Sequence, residues 1–211
     1  VVLPQEIVSG QFSSFLHLAL EGQNIWASQS SISINYFRKD SNALKMWSEE
    51  QVSGRLNDGF EDTGIKEPVI IRRFRPADLD AALEIDREVF GGYDPNIFAT
   101  FYEYHPACTL VAEVGGKVAG FLLGFKHTPF EGRIFWLAVK PGYQNCGIGM
   151  RLMLEVLKVF RYMGALGATL EVRVSNKKAQ ALYSSLGFRM IGLYPSYYTD
   201  GEAAIVMKRR L

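Results

Sequence analysis

Gln144-Asn145-Cys146-Gly147-Ile148-Gly149 stands where an apolar, strand-like run ends and a long amphipathic segment begins. A helix N-terminus leaves N–H groups without intrahelical partners and carries partial positive charge, so such a junction is an anion site. Glycines there let a phosphate approach the backbone with no Cβ in the way. The N–H groups of Asn145 to Met150 would then point at a diphosphate. Two better-known phosphate loops are excluded. No Gly-Lys-Ser/Thr follows, and the third glycine and downstream acidic residue of a dinucleotide fingerprint are missing. Taken alone, Gly-x-Gly after a strand fits a plain tight turn as well.

Upstream of the loop, Val69–Phe74 is β-branched and reads as a strand, and Arg75–Pro76 starts a helix running to about Phe90, with Leu79, Leu83 and Val89 facing inward. Thr109–Val114 and Lys117–Phe125 flank Gly115–Gly116, the two-residue hairpin pattern favoured where φ must be positive. Arg133–Val139 is the apolar strand that leads into the loop. Downstream, a helix over about 147–163 carries Leu152, Val156, Val159 and Phe160 as its buried stripe. A strand over Ala168–Val174, a helix over about 176–186, and strands over Met190–Tyr194 and Ala203–Lys208 complete the order β-α-β-β-β-α-β-α-β-β. That order describes one mixed α/β sheet with helices packed on it.

The chain has 211 residues, 48% hydrophobic and 21% charged, the balance of a globular protein and not of a fibrous or wholly disordered one. Its halves differ. Residues 1–66 hold 5 basic and 8 acidic side chains, are rich in serine, and keep no clear period beyond a weak helix over about 41–53 capped by Ser41. They read as a poorly patterned, partly disordered extension. Residues 67–211 hold 18 basic and 14 acidic side chains, a mildly basic domain suited to a small polyanion. Cys108 and Cys146 are too few for a disulfide framework and, with His17, His105 and His127, show no metal-ligand spacing. The expected setting is a reducing cytoplasm, with no metal, no nucleic acid and no membrane as partner. Arg72, Arg73 and Arg75, like Lys208, Arg209 and Arg210, read as solvated strand ends. Oligomeric state is open.

The loop, with Leu170-Glu171-Val172-Arg173-Val174-Ser175-Asn176, Ala181-Leu182-Tyr183-Ser184-Ser185-Leu186-Gly187-Phe188 and Tyr197-Tyr198-Thr199-Asp200-Gly201-Glu202, resembles the GNAT superfamily of acetyl-CoA-dependent N-acetyltransferases. Within it the closest likeness is to the branch of ribosomal-protein alanine and archaeal protein N-terminal acetyltransferases. The resemblance covers about 69–211 and is dense over 134–207. It implies a GNAT fold: a mixed, mostly antiparallel sheet splayed between its fourth and fifth strands, with helices on both faces. It also implies acetyl-CoA as co-substrate, and a protein or peptide N-terminus, a ribosomal protein among the candidates, as acceptor in a ternary complex.

Residue by residue, the resemblance places the pantetheine arm against the backbone of Leu137, Ala138 and Val139, with the Val139 N–H facing the developing oxyanion, and the diphosphate against Gln144, Asn145, Cys146, Gly147, Ile148, Gly149 and Met150. Glu171, a carboxylate between apolar Leu170 and Val172, needs a reason to be there. The resemblance makes it the acceptor of the α-ammonium proton. The rival reading is an ion pair with Arg173 or a lysine on an exposed edge. Tyr183 would donate a proton to the departing thiolate, or merely pack on the core. Asn176 caps the helix after Glu171's strand or reaches the cofactor. Tyr197 and Tyr198 would wall the acceptor site, although adjacent strand residues point oppositely, so at most one should serve directly.

Two departures blur acceptor preference. Gly201-Glu202-Ala203-Ala204 lacks one carboxylate of the family's usual pattern, and Gly91-Gly92-Tyr93-Asp94-Pro95 lacks its usual proline and glutamate arrangement. A small-molecule amine acceptor, a covalent acetyl-Cys146 intermediate, and an acetyl-CoA-binding regulatory module without turnover are the alternatives.

Overall fold

The computed structural model describes residues 67–92 and 94–211; the weak helix expected over 41–53, His17 and Tyr93 lie outside them. Strand β1 (Val69–Arg73) leads through a 3-10 turn (Pro76–Asp78) into α1 (Leu79–Phe90) and α2 (Asn96–Tyr104). Strands β2 (Thr109–Val114), β3 (Lys117–Thr128) and β4 (Glu131–Val139) follow, then α3 (Ile148–Tyr162), β5 (Gly167–Arg173), α4 (Lys177–Ser185), β6 (Arg189–Tyr194) and β7 (Ala204–Arg210). The sheet runs β1-β2-β3-β4-β5-β7-β6. Every neighbouring pair is antiparallel except β4–β5. This is the mixed, mostly antiparallel sheet of the expected fold. Gly115 and Gly116 both have positive φ, 56° and 76°, as the β2–β3 hairpin requires.

Alternation in the strands divides the core between the two faces of the sheet. Leu110, Ala112, Leu122, Leu170 and Val172 meet Leu152, Met153, Val156 and Phe160 of α3 on one face. Val111, Phe121 and Leu123 meet Ala82 and Ile85 of α1 and Ile97, Phe98 and Phe101 of α2 on the other. Helix α2 has no counterpart in the expected element order. Its nine residues fall in what reads as a loop between Gly91-Gly92 and Pro106, yet Ile97, Phe98 and Phe101 are buried along one side. On helix α1, Ala82, Ile85 and Asp86 are the fully buried positions, and Leu79, Leu83 and Val89 pack against the same core from its margin, as expected.

Arg72 is not a solvated strand end. Its guanidinium donates to both carboxylate oxygens of Asp78, at 2.7 and 2.8 Å, and through Nε to Glu113 at 2.8 Å. Burial works against the charged Asp78, but the Arg72 hydrogen bonds and the Arg75 N–H outweigh it and hold the carboxyl below its usual range. The cluster pins β1 and the 3-10 turn to β2.

One irregularity shapes everything that follows. On β3, Leu123 and Gly124 are consecutive, but their β4 partners are Trp136 and Ile134, so Phe135 is an extra residue in β4. Such a bulge bends its strand and shifts the alternation by one. Gly132 and Ile134 accordingly face α3, whereas Trp136 and Ala138 face α1 and α2. The parallel pairing of β4 with β5 runs only from Glu131–Gly167 to Ile134–Leu170. Past the bulge the two strands diverge.

Candidate active site

The opening between β4 and β5 has Phe135–Val139 on one side and Glu171–Arg173 on the other. Leu137, Ala138 and Val139 therefore present backbone along an edge with no strand beside it. Gly120 of β3 makes the tight seating of this segment possible: a Cβ there would fall 2.8 Å from Ala138 O and 3.3 Å from Val139 Cα. A glycine inside a strand signals such close approach.

At the end of β4, a 3-10 turn (Pro141–Tyr143) delivers the chain into the loop. Asn145 and Gly147 both adopt left-handed backbone, φ 64° and 73°. Gln144 Nε2 donates to Val139 O at 3.0 Å, tying the loop to the strand, and Cys146 Sγ lies 3.3 Å from Gln144 O. Ile148 is buried and anchors the start of α3. Arg151 N reaches Gly147 O at 3.0 Å, so the N–H groups ahead of it belong to the first turn, which has no carbonyl one turn back within the helix. Gly149 is informative. A Cβ there would make only ordinary contacts, 3.4 Å to Leu182 Cδ2 and 3.9 Å to Leu137 Cδ2 and Val139 Cγ2. Neither backbone conformation nor crowding by the protein demands glycine in this helical position. The first turn of α3 is thus left uncrowded, with its N–H groups unpaired within the helix, and the loop has room for the phosphates of acetyl-CoA.

Glu171 is the first β5 residue past the last β4–β5 pair. Its Oε2 accepts from Arg133 Nε at 3.1 Å and lies 3.0 Å from Arg133 Nη2. The side chains are 12% and 20% exposed, enough for a ligand to reach them and too little for solvent to dominate. The ion-pair partner comes from β4, and is neither Arg173 nor a lysine. Arg173 instead binds Asp200 at 2.8 Å and Glu202 at 2.6 Å, and its guanidinium carbon lies 3.8 Å from the centre of the Tyr198 ring. Glu202 also accepts from the Ser175 N–H at 2.8 Å. That bond, then Arg173, hold its carboxyl down to about 2.

The two tyrosines follow β6 in a loop and do not sit on a strand, so strand alternation does not separate them. Their rings meet edge to face, centroids 5.1 Å apart. Tyr197 Oη lies 3.4 Å from Arg133 Nη2. Burial is the main cause that pushes the Tyr198 phenol far up; Arg173 opposes, while Glu171, Tyr183 and Glu202 add to it. Tyr198 lies against the Arg173 guanidinium and Tyr197 against Arg133, so each tyrosine meets a different arginine.

Tyr183 lies on the inner side of α4, in the core cluster that contains Leu170 and Val172, with Phe188 6.1 Å from its ring. Burial pushes its phenol up to about 12. Asn176 is a helix cap: its Oδ1 accepts from Ala179 N at 3.1 Å. His105 is packed among Phe101 and Phe125, and His127 against Phe125. Among the described residues no group of three His, Cys, Asp or Glu side chains could hold a metal, and no helix is long and apolar enough to cross a membrane. Arg133, Arg173 and Gly120 are the site residues that the sequence reading did not select; an arginine alone inside the apolar run 133–139 is the signal for the first.

Comparison with known proteins agrees with this geometry. The family model described as "Acetyltransferase (GNAT) family" matches residues 79–188. The chain is 40% identical over 144 residues to an uncharacterized N-acetyltransferase of Methanocaldococcus jannaschii, covering 67% of this chain and 92% of that protein. It is 36% identical over 155 residues to the N-alpha-acetyltransferase RimI of Mycobacterium tuberculosis, covering 70% and 96%. The crystal structure of the ribosomal-protein-S18-alanine N-acetyltransferase from Escherichia coli superposes with a TM-score of 0.61 at 32% identity, covering 67% of this chain and 93% of that one. A bulged fourth strand, a parallel pair that opens, and a glycine loop at the helix beyond it occur here in a chain that those proteins match over most of their length: it belongs to the GNAT acetyltransferase family.

Proposed function

We propose that this protein transfers an acetyl group from acetyl-CoA to the N-terminal α-amine of a protein or peptide, and that residues 67–211 carry the reaction. The observation that carries the reading is the position of Glu171: a shielded carboxylate at the first residue past the divergence of β4 and β5, joined through Arg133 to Tyr197. Acetyl-CoA supplies an acyl carbon activated as a thioester. The first-turn N–H groups of residues 145–150 bind its diphosphate, and the backbone of Leu137–Val139 holds its arm as a strand would be held, with the Val139 N–H placed for the oxyanion.

Glu171 takes a proton from the α-ammonium, directly or through a water, and leaves a nucleophilic amine. The amine adds to the thioester carbon to give the tetrahedral oxyanion, the nitrogen loses its second proton to solvent, and collapse of the oxyanion breaks the C–S bond. Tyr183, its phenol kept protonated by burial, gives its proton to the leaving sulfur, and solvent afterwards returns a proton to the Tyr183 phenolate. Tyr197 and Tyr198 line the acceptor side. Direct attack needs no cysteine nucleophile, so Cys146 acts through its backbone. The free thiols of Cys108 and Cys146 suit a reducing, cytoplasmic setting.

Mass spectrometry after incubation with acetyl-CoA tests the reading. Peptides with free N-termini, including those of ribosomal proteins, are expected to gain one acetyl group on the α-amine, and α-blocked peptides to gain none. Acetylation of amino acids or polyamines but of no peptide would overturn it in favour of a small-molecule acceptor.

A further inference from the structure

The bottom of the opening holds a side-chain arrangement that the proposed reaction does not yet use. Arg133 comes from β4 before the bulge, Glu171 from β5 past the divergence, and Tyr197 from the loop after β6; they lie 38 and 64 residues from Arg133 in sequence. Nε and Nη2 of Arg133 both fall on the same oxygen of Glu171, Oε2, and Nη2 also reaches the Tyr197 hydroxyl. An arginine in the middle of a sheet is costly to desolvate, and a structural ion pair replaced by apolar residues often loses nothing. This one stands at the place where the proton must leave.

We infer that Arg133 is a positioning residue for acetyl transfer: its guanidinium fixes the Glu171 carboxylate and ties it to the acceptor wall through Tyr197. The inference rests on the reading of Glu171 as proton acceptor. A glutamate side chain has three rotatable bonds, and proton transfer requires hydrogen-bond distance to the ammonium. Errors of about 1 Å in such placement cost on the order of a hundredfold in rate. A planar guanidinium with two donors on one oxygen removes that freedom, which a lysine, a single point charge on a flexible stem, does only in part. Arg133 from β4 holds Glu171, whereas Arg173, two residues along β5, is taken up by Asp200 and Glu202. Arg133 is the one that spans from the carboxylate to the acceptor wall.

The test is a double-mutant cycle in the full chain, with R133M, R133K, E171Q and R133M/E171Q assayed for kcat and KM on a peptide that the wild type acetylates, and with thermal unfolding of each. R133M is expected to lower kcat about ten- to a hundredfold while peptide and acetyl-CoA KM stay within about threefold, R133K to recover part of the loss, and R133M to change kcat less than about twofold once Glu171 is glutamine. Should R133M fail to fold, R133K against E171Q supplies the same comparison. Multiplicative losses in the double variant, or a change confined to peptide KM, would overturn the positioning role and leave Glu171's role standing. An unchanged kcat in E171Q, or a wild type that acetylates no peptide, would overturn both.

Discussion

Glu171 and Tyr183 stand on opposite faces of the sheet at the same opening. Tyr183 packs with Leu170 and Val172, whose side chains point towards α3 and α4, and Glu171 alternates between them towards the other face. In the proposed reaction the proton acceptor and the proton donor are thereby kept apart by the thickness of one strand layer. Glu171→Gln is expected to lower kcat by about 10² to 10⁴, and Tyr183→Phe by about tenfold or more. Because the phenol is held at about 12, its donor form persists up to that region, and the two proteins, wild type and Tyr183→Phe, should share the same pH dependence below pH 10. Steady-state rates across pH check both statements.

Gly149 separates folding from cofactor binding. A Cβ there meets only ordinary contacts, and alanine is favoured over glycine in a helix by up to about 1 kcal/mol. Gly149→Ala should therefore leave the melting temperature unchanged or raise it, while acetyl-CoA KM rises because the methyl points towards Leu137, Val139 and Leu182, beside the proposed course of the pantetheine arm. A melting curve beside an acetyl-CoA titration reads the two effects apart.

Gly132 shows the opposite case. A Cβ there would lie 2.4 Å from Phe160 Cδ2, and Phe160 is fully buried in α3. The ring has nowhere to go. Gly132→Ala should destabilise the protein by about 1–3 kcal/mol through overpacking, measured by chemical denaturation.

His105 supplies an acid-side dependence. Burial lowers its pKa from 6.5 to about 4, so the unfolded chain binds a proton that the folded one refuses between those values. The neutral ring's contribution is fully present above about pH 6.5 and is lost as pH falls towards 4, by on the order of 3 kcal/mol in total. His105→Phe keeps the ring against Phe101 and Phe125 and should flatten stability between pH 6.5 and 4. Denaturant titrations at pH 7 and pH 4.5 measure the difference.

The parts of the fold that depend on local chemistry were legible: the Gly115-Gly116 turn, the helix begun at the glycine loop, and the stripe of Leu152, Val156, Val159 and Phe160, all buried. Parts that depend on counting across strands were not. Nothing in Arg133–Val139 marks Phe135 as the extra residue, because an apolar run looks the same with its alternation broken or intact. Helix α2 hid in a stretch bounded by Gly and Pro, although Ile97, Phe98 and Phe101 at helical spacing pointed to it. In the site, Glu171 and Tyr183 could be named from their motifs. The Arg133 contact could not, since a pair 38 residues apart exists only once β4 and β5 are side by side.

The extra residue in β4 also sets a length. From Phe135 to Val139 the edge facing the opening extends about 13 Å at strand rise. One end of that span is the phosphate loop, and the other is Glu171 and its clamp. In the proposed reaction the strand acts as a ruler for how far the reacting carbon would sit from the bound phosphates. The loops bearing Tyr197 and Tyr198 can vary with the acceptor without recalibrating it, whereas deleting Phe135 would shorten the gauge and close the sheet.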